Sequence, residues 1–231
     1  MKNIKNIIIV VIIVLTSICL LFINSGYQMY RKAIKEVGLT EKVSQITEKE
    51  NYTKLSEMPK IYLDAVIAVE DHRFYNHNGI DVISIGRAAF NDIRTLSFIE
   101  GGSTITQQLS KNVYFTQEKK IERKIAEVFM AFTFEKHYTK NEILELYLNT
   151  AYFGNGYYTV KEASQGYFDK EPKGMTDGEA IMLAGIPNAP SVYNPKVNLK
   201  LAKQRRNQVI KKMIKYKKLT QEEANKIIAE N

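Results

Sequence analysis

Two carboxylates stand side by side at Glu70 and Asp71, opening the stretch EDHRFYNHNGID at residues 70–81. An apolar segment, IYLDAVIAV, leads into them, and aromatics, two histidines and a glycine follow. A carboxylate at the end of a buried helix is partly desolvated, which lifts its pKa toward that of a working general base. The same residues also suit plain helix-end punctuation, with the acids solvated, Phe74 and Tyr75 packed and His77 satisfied in a turn. His72 and His77 beside the acids form a weaker basis for a metal site.

A second cluster, GGSTITQQLSKN, occupies residues 101–112. Glycines, then hydroxyls, then a helix start make an anion-binding loop, because backbone N–H groups at a helix N-terminus and Ser/Thr hydroxyls hold phosphate oxygens. It is not a Walker A loop, since G-x-x-x-x-G-K-[ST] is absent, and a simple turn with a Ser/Thr cap gives the same pattern. Basic residues then gather at Lys111, Lys119, Lys120, Arg123 and Lys124, followed by Glu127. Spacings of three and four put Lys120, Arg123, Lys124 and Glu127 on one helical face. That face is either solvated and laced by a pair such as Arg123–Glu127, or a diphosphate clamp that neutralises charge as a leaving group departs. Nucleic acid is a third ligand for such a patch, but the chain has no RNP-type, zinc-finger or basic-zipper pattern.

The elements that must position these groups read as helices. Pro59 opens a helix whose Ile61, Ala65, Val66 and Val69 recur at helical spacing. Asp81 caps a second, VISIGRAAFNDIRTL. A long amphipathic helix is expected over 118–137, with Ile121, Ile125, Val128, Phe129 and Phe132 on one side. Capping boxes start three more, at Thr139/Glu142, Thr176/Glu179 and Thr220/Glu223. Strand signals are scarce, confined to short segments near 152–158.

The 231 residues carry 33 Lys plus Arg against 25 Asp plus Glu, a formal charge of +8 that calls for an acidic partner: nucleic acid, a phosphorylated ligand or an anionic membrane. With 45% hydrophobic and 25% charged residues the chain is not disordered. One cysteine excludes a disulfide scaffold, and with 3 histidines it leaves no Cys/His zinc cluster. Residues 7–23 read IIIVVIIVLTSICLLFI, and no charge falls between Lys5 and Arg31, room for the roughly 20 apolar residues that cross a bilayer. Lys2 and Lys5 also give a signal-peptide start, but no A-x-A-like site follows, and bulky Ile18 before Cys19 argues against a lipoprotein. An uncleaved anchor is expected. Lys2 and Lys5 on one side and Arg31, Lys32 and Lys35 on the other nearly balance the positive-inside rule. The expected organisation is a cytoplasmic N-terminus and anchor over 1–30, a juxtamembrane stalk or short helical linker over 31–57 and a helical domain over 58–231. The juxtamembrane basic residues suit anionic headgroups.

In order and spacing, five segments resemble the motifs of glycosyltransferase family 51, the peptidoglycan glycosyltransferases related to class A penicillin-binding proteins. They are EDHRFYNHNG at 70–79, GGSTITQQLSKN at 101–112, RKIAE at 123–127, KNEILELYLNTAYFGNGYY at 140–158 and EAIMLAGIPNAPSVYNP at 179–195. The departures are Ser110 for an apolar residue, Thr159 and Asp169 for glycines, and Lys119 for an arginine of some members. The resemblance implies a mainly α, lysozyme-like catalytic domain on an N-terminal transmembrane helix, single-pass, with the domain outside the cytoplasm. It implies polymerisation of lipid II, a disaccharide-pentapeptide on undecaprenyl pyrophosphate, into β-1,4 glycan strands by one inverting displacement. In that scheme Glu70 matches the base and Glu127 the second essential carboxylate. Lys111, Lys119, Arg123 and Lys124 match the pyrophosphate-binding residues, with Ser103, Thr104 and Gln108 as hydrogen-bond partners. A divalent cation, Mg2+ or Mn2+, assists the family, and Asp71 is the expected ligand. Residues 93–99 match a membrane-facing part that is mobile in relatives, and ordinary core packing is the alternative.

The implied partners are lipid II, the growing lipid-linked strand and the membrane, with other cell-wall synthesis proteins admitted and nucleic acid excluded. Since no S-x-x-K followed by S-D-N and K-T-G is present, the resemblance is to monofunctional members, and the lysine-rich end is expected to finish the domain. The rivals are a lytic transglycosylase, which needs a glutamate acid but no pyrophosphate clamp, and a membrane-tethered scaffold with a decayed site.

Overall fold

The computed structural model describes residues 2–95, 102–116, 118 and 120–229. The apolar N-terminus forms one continuous helix, α1 (Lys2–Glu36), long and apolar enough to cross a membrane. Its apolar side chains from Ile4 to Leu21 stand exposed, with nothing in the protein to cover them. The Thr16 and Ser17 hydroxyls donate to the Ile12 and Ile13 carbonyls at 2.8 and 2.9 Å, which satisfies them inside an apolar stretch. The change of composition at Arg31 does not end the helix, since nothing there breaks the backbone ladder. The apolar helix therefore runs without interruption into the segment expected as a stalk or short helical linker.

That segment is packed rather than free. The helix α2 (Leu39–Thr47) buries Ile46. Beyond it the Tyr52 hydroxyl and the Leu55 N–H both donate to the Glu145 carboxylate, at 2.6 and 2.7 Å. Asn149 pairs with Thr53 in both directions at 2.8 Å. Backbone groups satisfied this way belong to the folded domain and not to a spacer.

The remaining helices are α3 (Lys60–Glu70), α4 (Val82–Thr95), α5 (Ile105–Tyr114), α6 (Ile121–His137), α7 (Lys140–Leu148), α8 (Val160–Phe168), α9 (Asp177–Gly185), α10 (Leu199–Lys215) and α11 (Gln221–Ala229). Among the described residues there is no strand, only an isolated bridge between Gly154 and Tyr157 within the expected 152–158 region. The helix α9, buried from Ala180 to Gly185, is the centre, with α3 and α10 against it. A second group, α5 with α6 and α7, packs on the same core through Ile105, Leu109, Met130, Phe134 and Ile143, all fully buried.

Local signals place most helix starts. The three expected capping boxes form, at Thr139, Thr176 and Thr220, and Asp81 accepts from the Ile83 and Ser84 N–H groups at 3.1 and 3.0 Å. Two further boxes, Thr104/Gln107 and Thr159/Glu162, start α5 and α8. Thr159, a departure from the resembled family, is thus accounted for as a cap. Asp169, another, ends α8 in the left-handed region at φ 57° and ψ 40°, where glycine is unstrained. Ser110, the third, is fully buried and donates to the Thr106 carbonyl at 2.7 Å. The long helix expected from 118 starts at Ile121, because Lys120 is extended at its N-cap.

Candidate active site

Glu70 is the last residue of α3, held in place by the buried Ala65, Val66, Ile67 and Ala68 that precede it. The residue is half-buried, its carboxylate is packed among protein atoms, and burial raises its pKa. The carbonyl end of α3 further disfavours a negative charge there. Opposing these, the Gln108 amide of α5 donates to the carboxylate at 2.8 Å, and the positive charges of Arg205, Lys212 and Lys111 act on it. Gln108 is itself fixed, since its carbonyl oxygen accepts from the Tyr147 hydroxyl at 3.2 Å. The Tyr62 ring is fully buried beneath this group, with its hydroxyl raised in pKa by burial and by the Glu70 charge.

The second centre is built on the first two turns of α6. Glu127 is 1% exposed, and one of its oxygens takes the Arg123 guanidinium while the other takes Lys124 Nζ at 2.9 Å. Lys124 also donates to Ser103 Oγ at 2.6 Å, tying α6 to the loop before α5. Burial, then Arg123 and Lys111, hold the Lys124 pKa down to about 8. Lys111, on the exit turn of α5, is electrostatically coupled to Arg123 on one side and Glu70 on the other, and burial lowers its pKa. The cations outnumber the one buried carboxylate that orients them, so a phosphate group brought between them completes the charge balance.

The structure brings Glu70, Gln108, Lys111, Ser103, Arg123, Lys124 and Glu127 together as two coupled centres. It gives Thr104 a different place from the phosphate partner expected. Its hydroxyl accepts from the Gln107 N–H at 3.1 Å and donates to the Gly79 carbonyl at 2.6 Å, so this buried side chain is already fully used as a cap. Lys119 and residues 96–101 lie outside the described residues, and so does most of the 93–99 stretch. Arg205 and Lys212, two turns apart on α10, and Tyr147 on α7 were not singled out from the sequence. The arginine pair after the fifth motif was the available signal for Arg205, whose guanidinium donates to the Gly185 carbonyl at 3.2 Å.

Asp71 fits a divalent cation poorly. It does gather with His77 and Asp81 closely enough for their ligand atoms to lie within 4.8 Å of one another. Yet its two oxygens meet His77 Nε2 at 2.9 and 3.0 Å, and one also accepts the Ile105 N–H at 3.1 Å. Asp81 is occupied by the Arg73 guanidinium at 3.1 Å and by Ser84. A hard cation such as Mg2+ or Mn2+ needs free oxygen lone pairs in near-octahedral array, and here N–H donors and a guanidinium already face them. The cluster instead splints the 71–81 connection to the start of α5.

A family profile described as Transglycosylase matches residues 38–214. Penicillin-binding protein 1F of Bacillus subtilis is 46% identical over 170 residues, which cover 74% of this chain and 24% of that protein. Penicillin-binding protein 1A of Vibrio cholerae is 46% identical over 189 residues, 81% of this chain and 23% of the relative. The chain therefore spans about a quarter of the length of these curated relatives. Among solved structures, penicillin-binding protein 1A from Haemophilus influenzae aligns over 78% of this chain and 17% of its own, at 26% identity and a TM-score of 0.47. The profile takes in α2 through α10 and with them every described site residue named above: this chain belongs to the transglycosylase family.

Proposed function

We propose that the protein is a peptidoglycan glycosyltransferase that polymerises lipid II into β-1,4-linked strands by inverting transfer, releasing undecaprenyl pyrophosphate. The observation that carries this reading is the pairing of Glu70, a half-buried carboxylate of raised pKa, with the Lys111, Arg123 and Lys124 cluster on the two adjacent helices. The acceptor 4-hydroxyl is a poor nucleophile until a carboxylate within hydrogen-bond reach takes its proton, and among the described residues only one Glu70 oxygen is engaged, by Gln108. The C1–O bond to the pyrophosphate breaks as the new glycosidic bond forms, and the leaving group gathers negative charge. The Lys111, Arg123 and Lys124 cations receive that charge, preorganised by Glu127, so little reorganisation is left for the reacting step. One displacement turns an α donor into a β product. The helix α1 serves as the membrane anchor, and the domain faces the extracytoplasmic side, where lipid-linked donor and acceptor are met in the plane of the bilayer.

A second reading has one observation in its favour. A carboxyl group of raised pKa is also what a lytic transglycosylase uses as its general acid. That chemistry leaves the buried cation cluster without a task. Incubation of the full chain with purified lipid II in detergent decides between them. Glycan polymer that a muramidase digests is the expected product. Absence of polymer together with shortened glycan from isolated sacculi would replace the synthetic reading with the lytic one.

A further inference from the structure

We propose that the groove between α1 and α6 holds the headgroup of one anionic phospholipid of the surrounding bilayer. The proposal rests on α1 crossing that bilayer and is independent of glycosyl transfer.

The two helices pack closely because Gly26 presents no side chain: an added Cβ would meet Ile125 Cβ at 2.6 Å and the Glu122 carbonyl oxygen at 2.8 Å. Beyond this contact the Tyr30 hydroxyl still meets Thr133 Oγ1 at 3.0 Å, and a shallow groove lies along the seam between the helices. Its walls are aromatic. Tyr27 and Tyr30 of α1 meet Phe129 of α6 with ring centroids 5.2 and 5.9 Å apart, and Phe132 lies exposed beside them. Its rim is basic, with Arg31 from α1 and Lys136 and His137 from α6. Among the described residues neither Arg31 nor Lys136 is ion-paired, since the nearby carboxylates Glu36 and Glu135 are taken by Lys32 and Lys140. His137 Nδ1 donates to the Thr133 carbonyl at 2.8 Å, which turns Nε2 outward.

Depth selects the occupant. At 1.5 Å per residue, about 20 residues cover the hydrocarbon core, so a span that begins at Ile7 ends near Gly26. Tyr27, Tyr30 and Arg31 then stand at the level of the lipid phosphates, where tyrosines concentrate in membrane proteins. A lipid already in the bilayer brings its phosphate to this rim with no displacement, and its acyl chains run down the exposed Ile23, Leu20 and Ile13 surface of α1. The groove is also distinct from the pyrophosphate-binding centre. At 100° per residue, Phe129, Phe132 and Lys136 lie on the side of α6 opposite Arg123, Lys124 and Glu127. A lipid seated there rests on the back of the catalytic helix and on the anchor together.

Native mass spectrometry of the full chain, extracted from nanodiscs of mixed phosphatidylglycerol and phosphatidylcholine, tests this by counting retained lipid. One phosphatidylglycerol retained in preference to phosphatidylcholine is expected. Arg31→Gln/Lys136→Gln lowers that preference about tenfold or more. Lys32→Gln/Lys35→Gln, which removes the same charge outside the groove, keeps it. Equal retention of the two lipids by the unaltered chain would overturn the proposal, and so would an equal loss in both double variants, which marks diffuse attraction to the membrane surface. Glycosyl transfer is not read, so failure here leaves the enzymatic reading standing.

Discussion

The Gln108 amide donates to the Glu70 carboxylate at 2.8 Å, across the gap between the first turn of α5 and the last residue of α3. This bond favours the charged form and so works against burial, which raises the Glu70 pKa. Gln108→Leu removes it, and the pKa climbs further. A hydrogen bond to a charged group contributes about 1.5–3 kcal/mol, and one pKa unit is about 1.4 kcal/mol. The acid limb of the kcat/KM profile for lipid II polymerisation is therefore expected to move up by about one to two pH units. A limb that stays in place would show that Gln108 does not position the base.

Glu70→Gln separates catalysis from stability. Polymerisation is expected to vanish while lipid II still binds, and polymer made at the unaltered rate would remove Glu70 as the base. The folded protein becomes more stable at neutral pH. With a folded pKa above the unfolded one, Glu70 binds its proton more tightly in the native state. Stability thus falls as pH rises from the unfolded pKa through the folded one, and the penalty is complete above it. Thermal denaturation should show the variant ahead of the parent at pH 7, with the gap closing as pH falls through the carboxylate range.

Lys124 gives the opposite limb. Its pKa of about 8 means that the free enzyme loses this charge under mildly alkaline conditions. The KM for the lipid-linked donor is expected to rise above that pH. Lys124→Ala raises the donor KM roughly 10- to 100-fold, the worth of a charge-assisted bond to phosphate, and abolishes that alkaline dependence. A variant that keeps the rise above pH 8 would assign it to another group.

What the sequence made legible was local. The boxes at Thr139, Thr176 and Thr220 are complete within four residues, so they could be read without tertiary knowledge. Thr104 shows where that stops. A threonine before a helix serves equally as cap or as phosphate ligand, and the choice is made by Gly79, 25 residues earlier, whose carbonyl takes its hydroxyl. The surroundings of Glu70 divide the same way: its place at the end of an apolar helix is visible in the sequence, whereas Arg205, Lys212 and Tyr147 come near it only after α7 and α10 have packed. The extent of the first helix was illegible for a different reason. Polarity changes at Arg31, but helical hydrogen bonding is indifferent to that change, and the helix continues to Glu36.

Asp71 is expected to matter for folding and not for metal. Its carboxylate joins His77 to the Ile105 N–H at the start of α5, in a buried setting. Asp71→Asn weakens both bonds, and a buried, incompletely satisfied polar group costs about 1–3 kcal/mol. At about 2–4 °C per kcal/mol for a chain of this size, the melting temperature falls by several degrees. A chelator added to the unaltered protein should leave its melting temperature unchanged. A fall on chelation as large as that of the substitution would instead place a divalent ion at Asp71.

Gly26 tests whether α1 and α6 move as one body. A leucine there must occupy space already filled by Ile125 and the Glu122 carbonyl, in the same turn as Arg123 and Lys124. Overpacking of this kind costs about 1–3 kcal/mol, and α1 relieves it by moving off α6. Tryptic cleavage at Arg31 and Lys32 is then expected to accelerate. Gly38→Ala is the control, because a Cβ at Gly38 meets nothing within 4 Å. If Gly26→Leu digests no faster than Gly38→Ala, the helices are held by the Tyr27, Tyr30 and Phe129 cluster alone and the close approach is incidental. If it digests faster and polymer synthesis in vesicles drops with it, the seat of α1 on α6 sets how Arg123 and Lys124 meet a donor embedded in the same bilayer.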